Sequence, residues 1–319
     1  LLLIYLSCLL IDLKPGDEVI VPSYTFVSTA NAFALRGAKI RFCDIRSDTL
    51  NLDESLLESL VNEKTRLIVP VHYAGVACEM ETIMEIAGRT GIEVVEDNAH
   101  GLFASYRGEP LGTFGTFATQ SFHETKNFSC GEGGALLLNR EGLIERAEIV
   151  RDKGTDRSQF FRGEVDKYGW KDLGSSYVIS DILSAVLLGQ LQRREEITAR
   201  RGEIWNRYYR ELKDWASASN VRLPFIPDGR QQSFHMFYLI MPSEDARNRF
   251  IEVMRGKGIG AVFHYLPLHE SEFISKRQNA DPCPVTSDMS RRLVRLPLYY
   301  NLSVEEQEEV LGAVKMFEC

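Results

Sequence analysis

Short runs rich in apolar and β-branched residues punctuate the first two-thirds of the chain: EVIVPS (18–23), KIRFCDI (39–45), RLIVPVHY (66–73), IEVVED (92–97), TFATQSF (116–122) and GALLLN (134–139). Between them apolar positions recur three and four apart, as in DESLLESLVNE (53–63) and EMETIMEIAGRT (79–90). That spacing keeps one helix face apolar. Apolar strands separated by helices predict an α/β fold, a mostly parallel sheet flanked by helices on both faces. Sites in such sheets lie beyond the carboxyl ends of the strands. The rule selects residues 23–26, 72–73, 97–100 and 121–126.

A different texture follows. SDILSAVLLGQLQRREEITARRGEIWNRYYREL (180–212) predicts a long connecting helix, and beyond it HMFYLIMP (235–242) and AVFHYLPL (261–268) read as strands around the helical EDARNRFIEVMRGKG (244–258). The expected organisation is a large α/β domain over 1–200 and a smaller α+β domain over 201–319. The opening LLLIYLSCLLI is eleven residues long, against about 20 needed to span a bilayer. No basic segment precedes it and no small-residue cleavage site follows, so it predicts a buried helix, with a beginning upstream of Leu1, and no membrane span.

Composition narrows the function. Lys plus Arg number 37 and Asp plus Glu 45, for a net charge of −8. An acidic chain with no long basic run is poorly made for a phosphate backbone, which argues against nucleic acid as a partner. The cysteines at 8, 43, 78, 130, 283 and 319 show no CxxC and no paired histidine spacing. They predict free thiols in a reducing cytoplasm and no metal.

Two segments carry candidate chemistry. VVEDNAH ends a buried strand with Glu96 and Asp97, and strand alternation sends the two in opposite directions, so at most one faces a site. A carboxylate there can hold a protonated pyridine nitrogen and keep such a ring an electron sink; alone, an acid at a strand end is more often a cap or turn residue. SFHETKNFSCGEGG places Lys126 in a polar turn before a glycine-rich return. A lysine that forms a Schiff base must reach a cofactor and hold part of its amine neutral, whereas most lysines are solvated. Ser121 and His123 stand two apart without a GxSxG elbow, which argues against a hydrolase triad.

Taken together, GDEVIVPSYTFVSTANA, PVHYAGVACEM, VVEDNAHG, SFHETKNFSCGEGG, LGSSYVISDI and RLPLYYNLS resemble the DegT-type sugar aminotransferases, which have the aspartate aminotransferase fold. The resemblance runs collinearly from about residue 15 to 303. Several segments look closest to the branch that aminates TDP-4-keto-6-deoxyglucose to TDP-4-amino-4,6-dideoxygalactose for bacterial surface polysaccharides. It implies pyridoxal 5'-phosphate as cofactor, a nucleotide-sugar substrate, an amino-acid donor (glutamate is usual) and a homodimer. Carried residue by residue, it implies that Lys126 holds the cofactor and shuttles the proton, and that Asp97 partners the pyridine nitrogen. His100 would sit beside the phenolic oxygen, Phe26 would stack on the ring and Ser121 would reach the phosphate.

Two departures stand out. The family's phosphate-cradling loop would lie upstream of Leu1, so weak cofactor binding by this chain is expected, with a non-catalytic remnant as the alternative. Val178 occupies a place where many relatives carry a polar residue. A dehydratase branch of the family has histidine in place of the lysine, and Lys126 argues against it. Tyr73, His264 and Tyr265 are candidates for facing the sugar, with packing the equal alternative. The aromatic- and arginine-rich stretch 157–176 is the candidate subunit interface.

Overall fold

The computed structural model describes residues 1–318. All six runs form one sheet: β1 (Glu18–Pro22), β2 (Lys39–Cys43), β3 (Thr65–Ile68), β4 (Glu93–Asp97), β5 (Phe117–Ser121) and β6 (Gly134–Leu138), in spatial order β2-β1-β3-β4-β5-β6. Every pair is parallel except β5–β6. β1 is buried along its whole length, and alternation divides its side chains between two layers. Val19 and Val21 pack with α1 (Leu2–Leu10) and α2 (Val27–Ala34) through Leu6, Leu9 and Phe33. Ile20 packs on the other face with Met80, Ile83 and Ile86 of α3 (Met80–Thr90). The opening apolar run is therefore a buried helix of the first core, and no described helix is long and apolar enough to cross a membrane.

The connecting stretch is two helices, α4 (Asp181–Gln192) and α5 (Arg194–Ala218). The helix breaks at Arg193, whose φ/ψ of −100°/19° departs from helical values. Along α5 the packing partners change: Ile197 joins Phe122, Phe128 and Cys130, whereas Ile204, Trp205 and Tyr208 join the second core. On that change we propose a division near residue 200. The second core is built on the antiparallel pair β7 (Phe237–Ile240) and β8 (Leu293–Leu296), with α6 (Glu244–Gly256) and α7 (Val304–Lys315).

Two readings need correction. AVFHYLPL is not a strand; only Val262 forms a bridge, to Arg295. The pairing edge it would need belongs to β8, only four residues long, and the rest of the segment turns to wall a cavity. DESLLESLVNE yields a 3-10 turn (Glu54–Leu56) and one helical turn (Leu57–Leu60) rather than a full helix. Five cysteines are free and buried; Cys319 lies outside the described residues.

Residues 267–286 leave the second unit and return to the first. Ile274 and Cys283 enter the first core, Arg41 grips Asp281 through two 3.0 Å hydrogen bonds, and Asp44 accepts from Thr286 N and Oγ1 at 2.8 Å each.

Glu96 is wholly buried on the sheet face away from the cavity. It accepts from the backbone N–H of Gly112, Phe114 and Gly115 at 2.8 Å each, and from His72 Nε2 at 3.0 Å. His72 Nδ1 accepts the Cys78 N–H at 3.2 Å, so Nε2 carries the donated proton. Burial raises the Glu96 pKa, but His72 and the amides outweigh it and hold the carboxyl below its ordinary value. A depressed carboxyl pKa contributes stability above the unfolded value of about 4.3 and loses it as pH falls through the folded value. Glu96→Gln turns one acceptor into a donor facing amides that can only donate. We expect a loss of about 3–5 kcal/mol in urea unfolding at neutral pH, and a shallower decline of stability below about pH 4 than in the unaltered protein.

Candidate active site

A cavity of about 820 Å³ opens at the carboxyl ends of β1, β4 and β5, and Phe26, Asp97, His100, Ser121 and Lys126 all line it. The site thus gathers loops that the sheet order brings side by side, including those at the β1/β3 switch in strand direction of travel.

Asp97 ends β4 and faces the cavity, opposite in sense to Glu96. Thr29, in the first turn of α2, donates Oγ1–H to Asp97 Oδ2 at 2.7 Å. Having spent its proton there, Thr29 must accept from Thr25 across their 3.1 Å contact. Asp97 Oδ1 accepts the Ala99 N–H at 3.2 Å. The carboxylate is therefore aimed by two hydrogen bonds and retains acceptor capacity. Phe26, the residue preceding α2, is extended and 56% exposed, with its ring centroid 6.0 Å from that of Tyr265.

Lys126 sits in the turn after β5, its N–H bonded to His123 O at 2.9 Å. Burial and the Arg295 charge lower its amine pKa to about 8, against the opposing pull of Asp97. Such an amine is partly neutral near physiological pH, and the neutral form is the state a nucleophile or base requires.

His100 stacks on His235, with ring centroids 4.1 Å apart and planes at 20°. Both rings have pKa values well below the ordinary histidine value, first from burial and next from the Lys126 charge. His100 Nδ1 is buried without a hydrogen-bond partner among the described residues. Asn127, next to the lysine, accepts from His235 Nδ1 at 2.9 Å and donates to Ser233 O at 2.7 Å. Ser233 Oγ in turn donates to His100 O. That approach requires glycine at 75, where φ is +82° and a Cβ would fall 1.9 Å from Ser233 Oγ.

Ser121, His123, Ser176, Val178 and Ser180 also line the cavity and add three hydroxyls to it. Of the three residues considered for the sugar, His264 and Tyr265 line the cavity. Tyr73 is buried behind them, its OH 2.9 Å from His264 Nδ1. Three cavity features escaped the sequence: Arg295, the His235 stack and Thr29. Thr29 had a usable signal, since TFVST puts it one helical turn after Phe26; nothing local marked the others. No group of described residues could hold a metal ion.

Comparison with known proteins agrees with this geometry. The DegT/DnrJ/EryC1/StrS aminotransferase family matches residues 2–315. An uncharacterized protein of Methanocaldococcus jannaschii is 32% identical over 98% of this chain and 82% of its own length. Among solved structures, the aminotransferase TlmJ from Streptoalloteichus hindustanus superposes with a TM-score of 0.89 at 29% identity, over 98% of this chain and 82% of that one. PseC from Helicobacter pylori, an aminotransferase of pseudoaminic acid biosynthesis, gives 0.87 at 26%, over 98% and 83%. With the fold and a match across nearly its whole length in agreement, the chain belongs to the DegT/DnrJ/EryC1/StrS aminotransferase family.

Proposed function

We propose that this enzyme moves an amino group from glutamate to the 4-keto carbon of a nucleotide-linked 6-deoxy sugar, turning TDP-4-keto-6-deoxyglucose into TDP-4-amino-4,6-dideoxygalactose for surface polysaccharide synthesis. It is a pyridoxal-phosphate-dependent aminotransferase. The observation that carries the residue assignment is a lysine amine with a pKa of about 8 in the same cavity as a buried, oriented carboxylate, Asp97.

The residues present fit the cofactor. Asp97 retains acceptor capacity toward the cavity, Lys126 has a partly neutral amine, and His100 has an unpartnered buried nitrogen. When bound, pyridoxal phosphate supplies an electron sink for the negative charge that develops at the donor carbon. Lys126 Nζ would hold it and, once free, carry the proton to and from the donor carbon. Asp97, aimed by Thr29, would keep the pyridine nitrogen protonated. Phe26 would cover one ring face, His100 would lie beside the phenolic oxygen, and the Ser121 hydroxyl would donate to the phosphate. His264 and Tyr265 would face the sugar.

The reading includes a cytoplasmic homodimer. Five buried free thiols accord with a reducing compartment. Within 157–176, Phe161, Tyr168, Trp170 and Leu173 are exposed, as are Ile182, Val186 and Leu188 of α4, a helix with no buried residue. Apolar side chains in such number on one stretch of chain favour a protein partner.

Borohydride reduction of the cofactor-loaded protein should leave a pyridoxyl group on Lys126; a label on another lysine sinks the assignment. In cofactor-free protein, competitive acetylation read by mass spectrometry should titrate Lys126 near pH 8. Asp97→Asn should move that titration lower, because the carboxylate stabilises the ammonium form.

Incubation with TDP-4-keto-6-deoxyglucose and glutamate should yield the 4-amino sugar and 2-oxoglutarate, identified by mass spectrometry and NMR. Asp97→Asn should slow this turnover by about 10²–10⁴-fold. Amination of a different keto-sugar alone would overturn the substrate, and an unimpaired Asp97→Asn variant would overturn the ring partner.

Sedimentation at micromolar concentration should give twice the 36.2 kDa chain mass; a strictly monomeric boundary rules the dimer out.

A further inference from the structure

Residues 233–236 of the second unit reach back to the lysine turn, and α5 holds them there. Phe234 has a left-handed φ of +55°, a conformation that a bulky side chain rarely adopts without surrounding restraint. The restraint is Arg201, which donates from Nε to Phe234 O at 3.0 Å and from Nη2 to His235 O at 2.7 Å. One turn further along α5, Trp205 Nε1 donates to Met236 O at 3.2 Å. The Arg201 guanidinium is buried, and burial lowers its pKa to about 10. It stays charged at neutral pH and grips carbonyls in place of a carboxylate, a costly way to fix a loop.

That loop meets the first unit at two residues. The first is Asn127, beside Lys126. Because Asn127 Nδ2 donates to Ser233 O at 2.7 Å, its Oδ1 accepts, and His235 Nδ1 carries the proton of their 2.9 Å contact. The second is His100. Ser233 Oγ donates to His100 O, and the His235 ring lies on the His100 ring, with centroids 4.1 Å apart and planes at 20°. His100 Nδ1 is buried without a partner among the described residues. A buried N–H orphaned there is the rarer and costlier case, so the His100 proton belongs on Nε2. Both rings are held neutral, first by burial and next by the Lys126 charge, and two neutral rings can stack without charge repulsion.

We propose that His235 is a positioning residue for transamination: its Nδ1–H holds the Lys126 turn through Asn127, and its ring face holds His100. This rests on the residue assignment above, in which Lys126 and His100 meet the same cofactor from separate loops. Those loops follow different strands, β5 and β4, and beyond the strand ends the sheet ladder no longer sets their spacing. One side chain that engages both keeps amine and imidazole in register. Register matters because a misplacement of about 1 Å can cost on the order of 100-fold in rate. His235 acts through one ring nitrogen and one ring face, and the two can be removed separately.

Two substitutions separate the contacts. His235→Asn places an amide N–H where Nδ1 stands and removes the ring, whereas His235→Phe keeps a ring and removes the donor. In cofactor-free protein, competitive acetylation should leave the Lys126 midpoint near pH 8 in His235→Asn. In His235→Phe it should rise by about one pH unit toward the ordinary lysine value, as the turn loosens and the amine gains solvent. Nitrogen-15 NMR of labelled histidines should show the reverse. His100 should keep a single Nε2–H tautomer in His235→Phe and become a mixture of tautomers in His235→Asn. Asn127→Ala should reproduce the His235→Phe midpoint, and combining the two should add nothing, as for residues that act as one unit. With cofactor and both substrates, each His235 variant should lower kcat by about 10-fold while KM changes little. An unmoved Lys126 midpoint in His235→Phe, or an unchanged His100 spectrum in His235→Asn, overturns the proposal. So does an equal change of both readouts in both variants together with easier urea unfolding, which marks a general loosening of the fold. The acetylation and NMR readings need neither cofactor nor sugar. A borohydride label on another lysine therefore fails the residue assignment on which His235 depends, while a label on Lys126 with an unmoved midpoint removes His235 alone.

Discussion

Successive side chains of a strand leave it on opposite faces, and at the end of β4 that alternation sends two adjacent carboxylates to different tasks. Glu96 turns into the protein and is used up by three backbone amides and His72. Asp97 turns into the cavity with acceptor capacity to spare. Each depends on the other: the loop of residues 112–115 that Glu96 gathers fixes the entry to β5, and β5 ends in the turn that presents Lys126. A slip of one residue in β4 would bury Asp97 without its partners and leave Glu96 in the cavity without Thr29.

The electrostatics of the cavity follow from this arrangement. One buried carboxylate faces a lysine, an arginine and three stacked or tilted histidines. Burial disfavours every cationic form, and the cations oppose one another. The histidines are driven well below their ordinary range, His264 to about 2, while Lys126 comes to rest at about 8. Lysine retains the titration closest to neutrality because Asp97 supports it. His100, His235 and His264 are thus held as neutral hydrogen-bonding groups beside an amine that Asp97 supports.

The sequence made the first unit legible because its signals are local. Apolar strands with strand-end loops announce both the sheet and the residues that can meet at its edge, and all five candidate site residues line one cavity. What it hid depends on long-range placement. Arg295 sits in LVRLPLYY like any arginine in a partly buried strand, and only the packing of β8 against the first unit aims it inward. His235 becomes part of the site through Asn127, more than a hundred residues earlier in the chain. AVFHYLPL has strand composition, yet only Val262 pairs, with Arg295 on the four-residue edge of β8. The helix break at Arg193 has no glycine or proline to mark it.

The return of residues 267–286 to the first unit has a consequence for how the chain is made. Ile274 and Cys283 complete the core beneath β2, and Asp281 holds Arg41 on that strand. β2 leaves the ribosome some 240 residues before these partners do, a delay of about 10–50 s at ordinary elongation rates. Once β6 has emerged, and until that segment follows, the edge strand of a finished sheet is bare of its covering segment, so the nascent chain has to keep a sticky edge from neighbours until its own carboxyl-terminal third arrives.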